Sequence, residues 1–323
     1  MNIPRFSLTR SLPPGATSAA LAADVARGLS RVPKELPPRW FYDTRGSELF
    51  EEITGLPEYY PTRAEQEILT RHAGDIARLS GAGALVELGS GSSAKTRLLL
   101  DALPERLVYV PVDVSPSALE AAGRALLAER PALRVHAMVA DFLSGLPLPA
   151  SPAPRLVAFL GGTVGNLLPA ERARFLTWLR TSLAPGDALL LGTDLVKEPA
   201  VLVAAYDDAR GVTAEFNKNV LRVLARELDA DCDPADFDHV AVWDAEREWI
   251  EMRLRARAAL SVKVPALDAS FDFHAGEELR TEVSAKFRPE GLRAELAGCG
   301  WRLERMWTDT RSRFALSLAF PAP

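Results

Sequence analysis

The sequence predicts an α/β fold, a doubly wound sheet into which a second, α+β unit is inserted. Three observations carry that expectation. Between residues 84 and 193 short apolar runs alternate with helical patterns across short connections, the rhythm of parallel strands joined by crossover helices. The first run ends in Gly89 and Gly91, one residue apart, before a helical pattern opens. After residue 195 the rhythm gives way to a long helical stretch and then to strand-like alternation, and it resumes only near residue 287.

The elements follow in order. Residues 16–31 read as an amphipathic helix, which Pro37 and Pro38 stop before an aromatic loop holding Trp40, Phe41 and Tyr42. A short helix, 47–53, precedes Tyr59 and Tyr60, bracketed by Pro57 and Pro61; such tyrosines line a pocket or pack a connector. A helix over 61–79 leads into strand 84–88, helix 94–103, strand 107–112, helix 116–129 and strand 133–139. Strand 156–160, a turn over 161–166, helix 169–183 and strand 188–193 continue the alternation. Residues 199–226 are helical, while 240–242, 249–258 and 281–287 alternate as strands. Helix 289–297 and strands 301–307 and 313–319 complete the sheet's edge. The expected division is 63–195 with 287–323 as the sheet unit, and 1–62 with 196–286 as a lid closing over its ligand face. The first 15 residues are expected to lack order.

Composition narrows the function. The chain has 323 residues, 48% hydrophobic content and a formal net charge of -5, with no long basic block, which argues against nucleic acid as a partner. Neither a membrane-length apolar run nor a secretory leader is evident, so a cytoplasmic protein is expected, a monomer by default. Cys232 and Cys299 read as reduced thiols. The four histidines stand singly, without metal-ligand spacing, and no metal is expected. Only six of the 38 basic residues are lysines, a bias suggesting a GC-rich bacterial genome.

In an open α/β sheet, ligands bind outside the carboxyl ends of the strands, and the suggestive residues cluster there. Gly89-x-Gly91-x-x-Ala94 followed by Asp113 satisfies a loose nucleotide fingerprint, with the acid placed for ribose hydroxyls. Glu87 precedes the first glycine, and Asp141-Phe142 follows the third strand, where a carboxylate can take an adenine amino group while a ring packs on the base. These features favour S-adenosylmethionine (SAM), which has no pyrophosphate to cradle, over a dinucleotide or a fold that binds no nucleotide. Lys95, in the first helical turn where a cation gains nothing from the helix dipole, suits a bound carboxylate or is a solvated surface lysine. Asn166 holds an acceptor or caps the next helix. Glu282, Ser284 and Lys286 would share one face of a strand, as a site or as an exposed salt-bridged face.

Taken together, Glu87-Leu-Gly-Ser-Gly-Ser-Ser-Ala-Lys-Thr-Arg97, Pro111-Val-Asp-Val-Ser115, Gly192-Thr-Asp-Leu-Val-Lys197, Tyr206-Asp-Asp208, Glu215-Phe-Asn-x-Asn219 and Glu282-x-Ser-x-Lys-Phe287 closely resemble the histidine-specific methyltransferases that open ergothioneine biosynthesis. The resemblance runs from about Trp40 to Leu318. It implies a Rossmann-like class I methyltransferase sheet with an inserted substrate domain, and transfer of three methyl groups from SAM to the α-amine of L-histidine, giving hercynine. The cofactor contacts it implies are Glu87, Gly89, Gly91, Lys95, Asp113, Asp141 and Phe142. Acceptor contacts are implied at Tyr59, Gly161, Asn166, Tyr206 and the run Glu282, Val283 and Ser284, with Met252 near the imidazole and Tyr42 beside the reacting amine; Tyr42 and Asn166 are the implied catalytic pair.

Overall fold

A computed structural model describes residues 5–11, 15–91, 95–141, 143, 148 and 154–323. In chain order come strand β1 (Phe6–Arg10), helix α1 (Ala16–Leu29), strand β2 (Lys34–Glu35) and helices α2 (Thr44–Thr54) and α3 (Pro61–Ser80). The alternating stretch follows: β3 (Ala84–Leu88), α4 (Thr96–Ala102), β4 (Val108–Asp113), α5 (Pro116–Glu129), β5 (Arg134–Val139), β6 (Arg155–Phe159), α6 (Pro169–Ser182) and β7 (Ala188–Asp194). Helices α7 (Pro199–Tyr206) and α8 (Val212–Leu228) precede β8 (Phe237–Asp244), β9 (Trp249–Ala256), β10 (Leu260–Val264), β11 (Ala269–Phe273) and β12 (Glu278–Ala285). Helix α9 (Pro289–Gly298) and strands β13 (Trp301–Thr308) and β14 (Phe314–Pro321) end the chain. These elements form two compact units, one from the described residues of 1–13, 61–196 and 287–323, the other from those of 14–60 and 197–286.

The first unit is built on an eight-stranded sheet in the order β1-β5-β4-β3-β6-β7-β14-β13. All neighbours run parallel up to β7, after which β14 and β13 pair antiparallel. Every residue of β3, β6 and β7 is buried, which is why these strands read as continuous apolar runs rather than alternating ones. Helix α3 adds Ile68, Leu69 and Ile76 to a core with Leu85, Tyr109, Leu156 and Leu190. Strand order reverses between β3 and β6, since β4 lies on one side of β3 and β6 on the other; this is the switch point at which such sheets open a crevice.

Two sequence expectations change here. Residues 6–10 do not join the inserted unit and are ordered: they pair with β5 over five residues, from Phe6 opposite Val135 to Arg10 opposite Val139. Phe6 and Leu8 pack on the core, and the Ser7 hydroxyl meets His136 Nδ1 at 2.7 Å. The segment is too short and too polar to announce itself, and β5 supplies the template.

The second unit holds a four-stranded sheet, β2-β12-β9-β8, and a separate β10–β11 hairpin. Apolar residues of α1, α2, α7 and α8 form its core with Ile250, Met252 and Leu254 of β9. The expected single helix over 199–226 is two helices. Gly211 takes the left-handed conformation (φ 73°), and the Asp208 carboxylate accepts from the N–H groups of Arg210, Val212 and Thr213, so the chain turns and restarts. The hairpin of β10 and β11 was not anticipated, although its buried residues alternate cleanly. Among the described residues no helix is long and apolar enough to cross a membrane.

Candidate functional site

In the first unit the candidate residues gather at the switch point. Gly89 (φ 69°) and Gly91 (φ 49°) turn the chain after β3 in a conformation that side chains disfavour, and among the described residues a Cβ on Gly91 would meet no atom within 4 Å. The turn is fixed on its β4 side. The Gly89 N–H donates to the Val112 carbonyl at 2.8 Å and the Gly91 N–H to Asp113 Oδ2 at 3.1 Å, while Asp113 Oδ1 accepts from Ser115 N–H at 3.0 Å. Asp113 is thereby held half-exposed at the end of β4, its remaining lone pairs able to accept from hydroxyls. Asp141 lies just past β5 and accepts from the Leu143 N–H at 2.9 Å. Phe142 lies outside the described residues. A glycine turn flanked by carboxylates on adjacent strand ends fits the adenosine portion of SAM.

Glu87 is 4% exposed, and its Oε2 accepts from the hydroxyls of Thr96 (2.6 Å) and Tyr109 (2.5 Å). It therefore ties β3 to α4 and β4 from beneath the turn. Burial pushes its carboxyl from 4.5 up to about 7 against the lowering effect of those two donors.

Lys95 reaches a partner that sequence reasoning missed. Its ammonium pairs with Glu65 of α3, whose side chain is fully buried, and the same carboxylate accepts from the Gly161 N–H at 2.8 and 3.1 Å. Glu65 thus joins the start of α4 to the turn after β6, where Gly161 (φ 75°) and Gly162 (φ 72°) are both left-handed. The sequence carries one trace of this arrangement: Gly192 on β7 has no side chain because a Cβ there would strike Glu65 Oε1. Asn166 ends the short 3-10 turn Thr163–Asn166; it does not cap α6, whose N-cap position is Leu168.

In the second unit three buried polar side chains converge. The Tyr206 hydroxyl and Ser284 Oγ are 2.7 Å apart, and Lys286 Nζ donates to both, at 2.9 and 2.8 Å, while lying 4.7 Å from the Tyr206 ring centroid. Ser284 and Lys286 lie on one face of the strand path as expected, whereas Lys286 as the centre of the cluster was not foreseen. The ammonium donates to both oxygens and one hydroxyl hydrogen closes the Tyr206–Ser284 bond, so the cluster carries a net positive charge, which suits an anionic ligand group. Glu282 stands opposite Met252 in the β12–β9 register, so the two side chains share a face. A shift in that register between Arg280 and Glu282 sets the direction of Glu282. Val283 pairs with Glu251 and points to the other face, which leaves only its main chain available to a ligand on the Ser284 side.

Tyr42 and Tyr59 both pack edge-on against Phe50, at 5.6 and 6.1 Å, and Tyr42 also meets Phe216 at 5.4 Å. Tyr42 is 39% exposed and Tyr59 9%, so one ring stands at the surface of this unit and the other below it. The turn that presents Tyr42 is fixed by Asn219, which donates to the Phe41 carbonyl (3.2 Å) and to Asp43 (2.8 Å), the residue that caps α2.

Sequence comparison finds relatives over nearly the whole chain. A family model described as histidine-specific methyltransferase, SAM-dependent, matches residues 21–321. A histidine N-alpha-methyltransferase of Mycolicibacterium smegmatis is 53% identical, over 97% of this chain and 99% of its own length. One of Mycobacterium tuberculosis is also 53% identical, over 98% and 99%. A 4-dimethylallyltryptophan N-methyltransferase of Claviceps purpurea is 30% identical, over 58% of this chain and 59% of its own. Spanning the glycine turns of one unit and the tyrosine, serine and lysine cluster of the other, the family model and the two mycobacterial relatives establish that the chain belongs to the family of histidine-specific, SAM-dependent methyltransferases.

Proposed function

We propose that this enzyme transfers methyl groups from SAM to the α-amino group of L-histidine, three in succession, forming hercynine, the opening reaction of ergothioneine biosynthesis. The cluster of Tyr206, Ser284 and Lys286 carries the reading: a generic cofactor fold has no use for a buried ammonium–hydroxyl network in an inserted unit, whereas an amino acid brings a carboxylate whose charge matches the ammonium. Family membership over both units supports it.

When bound, SAM supplies an electrophilic methyl group whose leaving thioether is neutral, so no strong acid is needed. Gly89, Gly91, Lys95, Asp113, Asp141 and Phe142 are proposed to hold it, with Glu87 fixing the turn from below. Tyr206 and Asn166 are proposed for the histidine carboxylate, Glu282 and Ser284 for the imidazole with Tyr59 and Met252 beside it, Tyr42 for the amine, and Gly161 and Val283 for main-chain contacts. The acceptor must react as a neutral amine, although a free α-amine has a pKa of about 8. The residues therefore have to align the nitrogen and let its proton escape rather than deliver one. As the nitrogen acquires permanent charge, tyrosine faces attract it through cation–π interaction. Buried donors and acceptors matched to an imidazole reject side chains that leave them unpaired.

The Claviceps relative's name favours one competing reading, the same chemistry on tryptophan or a derivative. Incubating the purified protein with methyl-labelled SAM and each of the twenty amino acids separates the two. Label in histidine, accumulating as the trimethylated product, is expected; label in tryptophan alone would overturn the assignment.

A further inference from the structure

Within the motif Glu215-Phe-Asn-x-Asn219, Phe216 and Asn219 support Tyr42, whereas Asn217 has no place in the contacts above, yet it is wholly buried at the middle of a hydrogen-bonded chain. Thr281 Oγ1 donates to Asn217 Oδ1 at 2.5 Å. Asn217 Nδ2 lies 2.8 Å from His239 Nδ1 and donates to the Arg253 carbonyl at 3.0 Å, and His239 Nε2 lies 2.8 Å from the main-chain carbonyl of Tyr206. A carbonyl only accepts, so Nε2 carries the hydrogen, and Nδ1 accepts from the Asn217 amide. Every polar atom of Asn217 is thus used, and burial holds His239 below its ordinary pKa, in its neutral form.

The ends of this chain matter. The Tyr206 carbonyl belongs to the last turn of α7, where carbonyls lack helical partners, so His239 fixes the helix end that aims the Tyr206 side chain. Thr281 sits in the register shift that aims Glu282. We infer that Asn217, acting through His239, is a positioning residue that sets Tyr206 and the Glu282 bulge relative to one another, and thereby the acceptor's two recognition points together. The inference rests on the assignment of Tyr206 and Glu282 to the acceptor.

Asn217→Ala should raise KM for histidine about tenfold, the scale of one unsatisfied buried group, while KM for SAM and the calorimetric affinity for S-adenosylhomocysteine stay within about twofold. In a Tyr206→Phe background the same substitution should cost only about threefold, because residues acting through one another are not additive. Equal losses in both backgrounds, or equal weakening of S-adenosylhomocysteine, would overturn the inference. Should Asn217→Ala fail to fold, the imidazole carries the test: His239→Gln, which keeps a donor for the Tyr206 carbonyl, should stay within about threefold of the parent, and His239→Phe should reproduce the tenfold rise. Identical behaviour of the two His239 variants would refute it. A parent enzyme that methylates some other amino acid sinks the histidine assignment first, and this inference with it; a histidine-active parent with an unaltered Asn217→Ala KM sinks only the inference.

Discussion

Glu87 offers a direct test of the physics beneath the glycine turn. Its carboxyl is buried, and burial raises it from 4.5 to about 7 although Thr96 and Tyr109 both donate to it. The folded chain therefore holds this proton more tightly than the unfolded chain does, and between those two values unfolding releases a proton. Stability contributed by the group is complete below about pH 4.5 and is lost as pH rises through 7. The linkage relation puts the loss between pH 5 and pH 8 at roughly 2–3 kcal/mol. Glu87→Gln keeps a carbonyl oxygen for both hydroxyls and carries no titrating proton. Relative to the parent, the variant should gain that amount over the same interval, seen as a melting difference that widens by about 5 to 10 °C for a unit of this size. Parallel thermal melts at pH 5, 6, 7 and 8 measure it, and taking the difference cancels the other titrating groups. A melting difference independent of pH would refute the reasoning. A difference that narrows with pH would mean that the two hydroxyls outweigh burial and hold the carboxylate ionised.

Three further outcomes are expected. Glu282→Ala should lower kcat/KM on histidine by about 2 kcal/mol or more, the cost of removing a charged partner, measurable by steady-state kinetics. Gly192→Ala should destabilise the first unit by about 1–3 kcal/mol in denaturant titrations, because the new Cβ would strike Glu65 Oε1 and sit 3.3 Å from the Leu160 Cα just past β6. Asp208→Ala should cost about 1–2 kcal/mol at neutral pH by stripping the start of α8 of its acceptor. Burial raises the Asp208 carboxyl, but its N–H donors outweigh that and hold it below 3.8, so the parent's advantage should vanish as acid titrates the group.

Much of the first unit was legible because its signals are local. Fully buried parallel strands leave uninterrupted apolar runs, and the glycines at 89, 91, 161 and 162 mark the turns that need a left-handed backbone, so strands and turn positions from 84 to 194 could be placed to within a residue or two. The motif-bearing residues of the second unit were recognisable as a set, but not their geometry. In the sequence Lys286 reads equally as part of a site or as one end of an exposed salt-bridged face, and only the fold shows it buried beside Tyr206. The break at Gly211 was missed because α7 and α8 are both apolar enough to pass for one helix, and the acceptor that ends the break, Asp208, looks like any surface acid.

Glu65 shows what no local reading recovers. On an amphipathic helix a glutamate is expected in water, and its burial depends on Lys95 and Gly161, 30 and 96 positions away. A fully buried carboxylate is costly unless each oxygen is satisfied, and here one ammonium and one main-chain N–H satisfy it. The same carboxylate consequently fixes two loops that a ligand at the switch point would touch, the start of α4 and the turn after β6. Glycine turns can approach a ligand closely because they lack side chains, and for that reason they cannot hold their own shape. Glu65, Glu87 and Asp113 supply that constraint, two of them from beneath the sheet's carboxyl end. Changing Glu65 should therefore disturb Lys95 and Gly161 together, whereas changing Lys95 leaves the Gly161 contact in place.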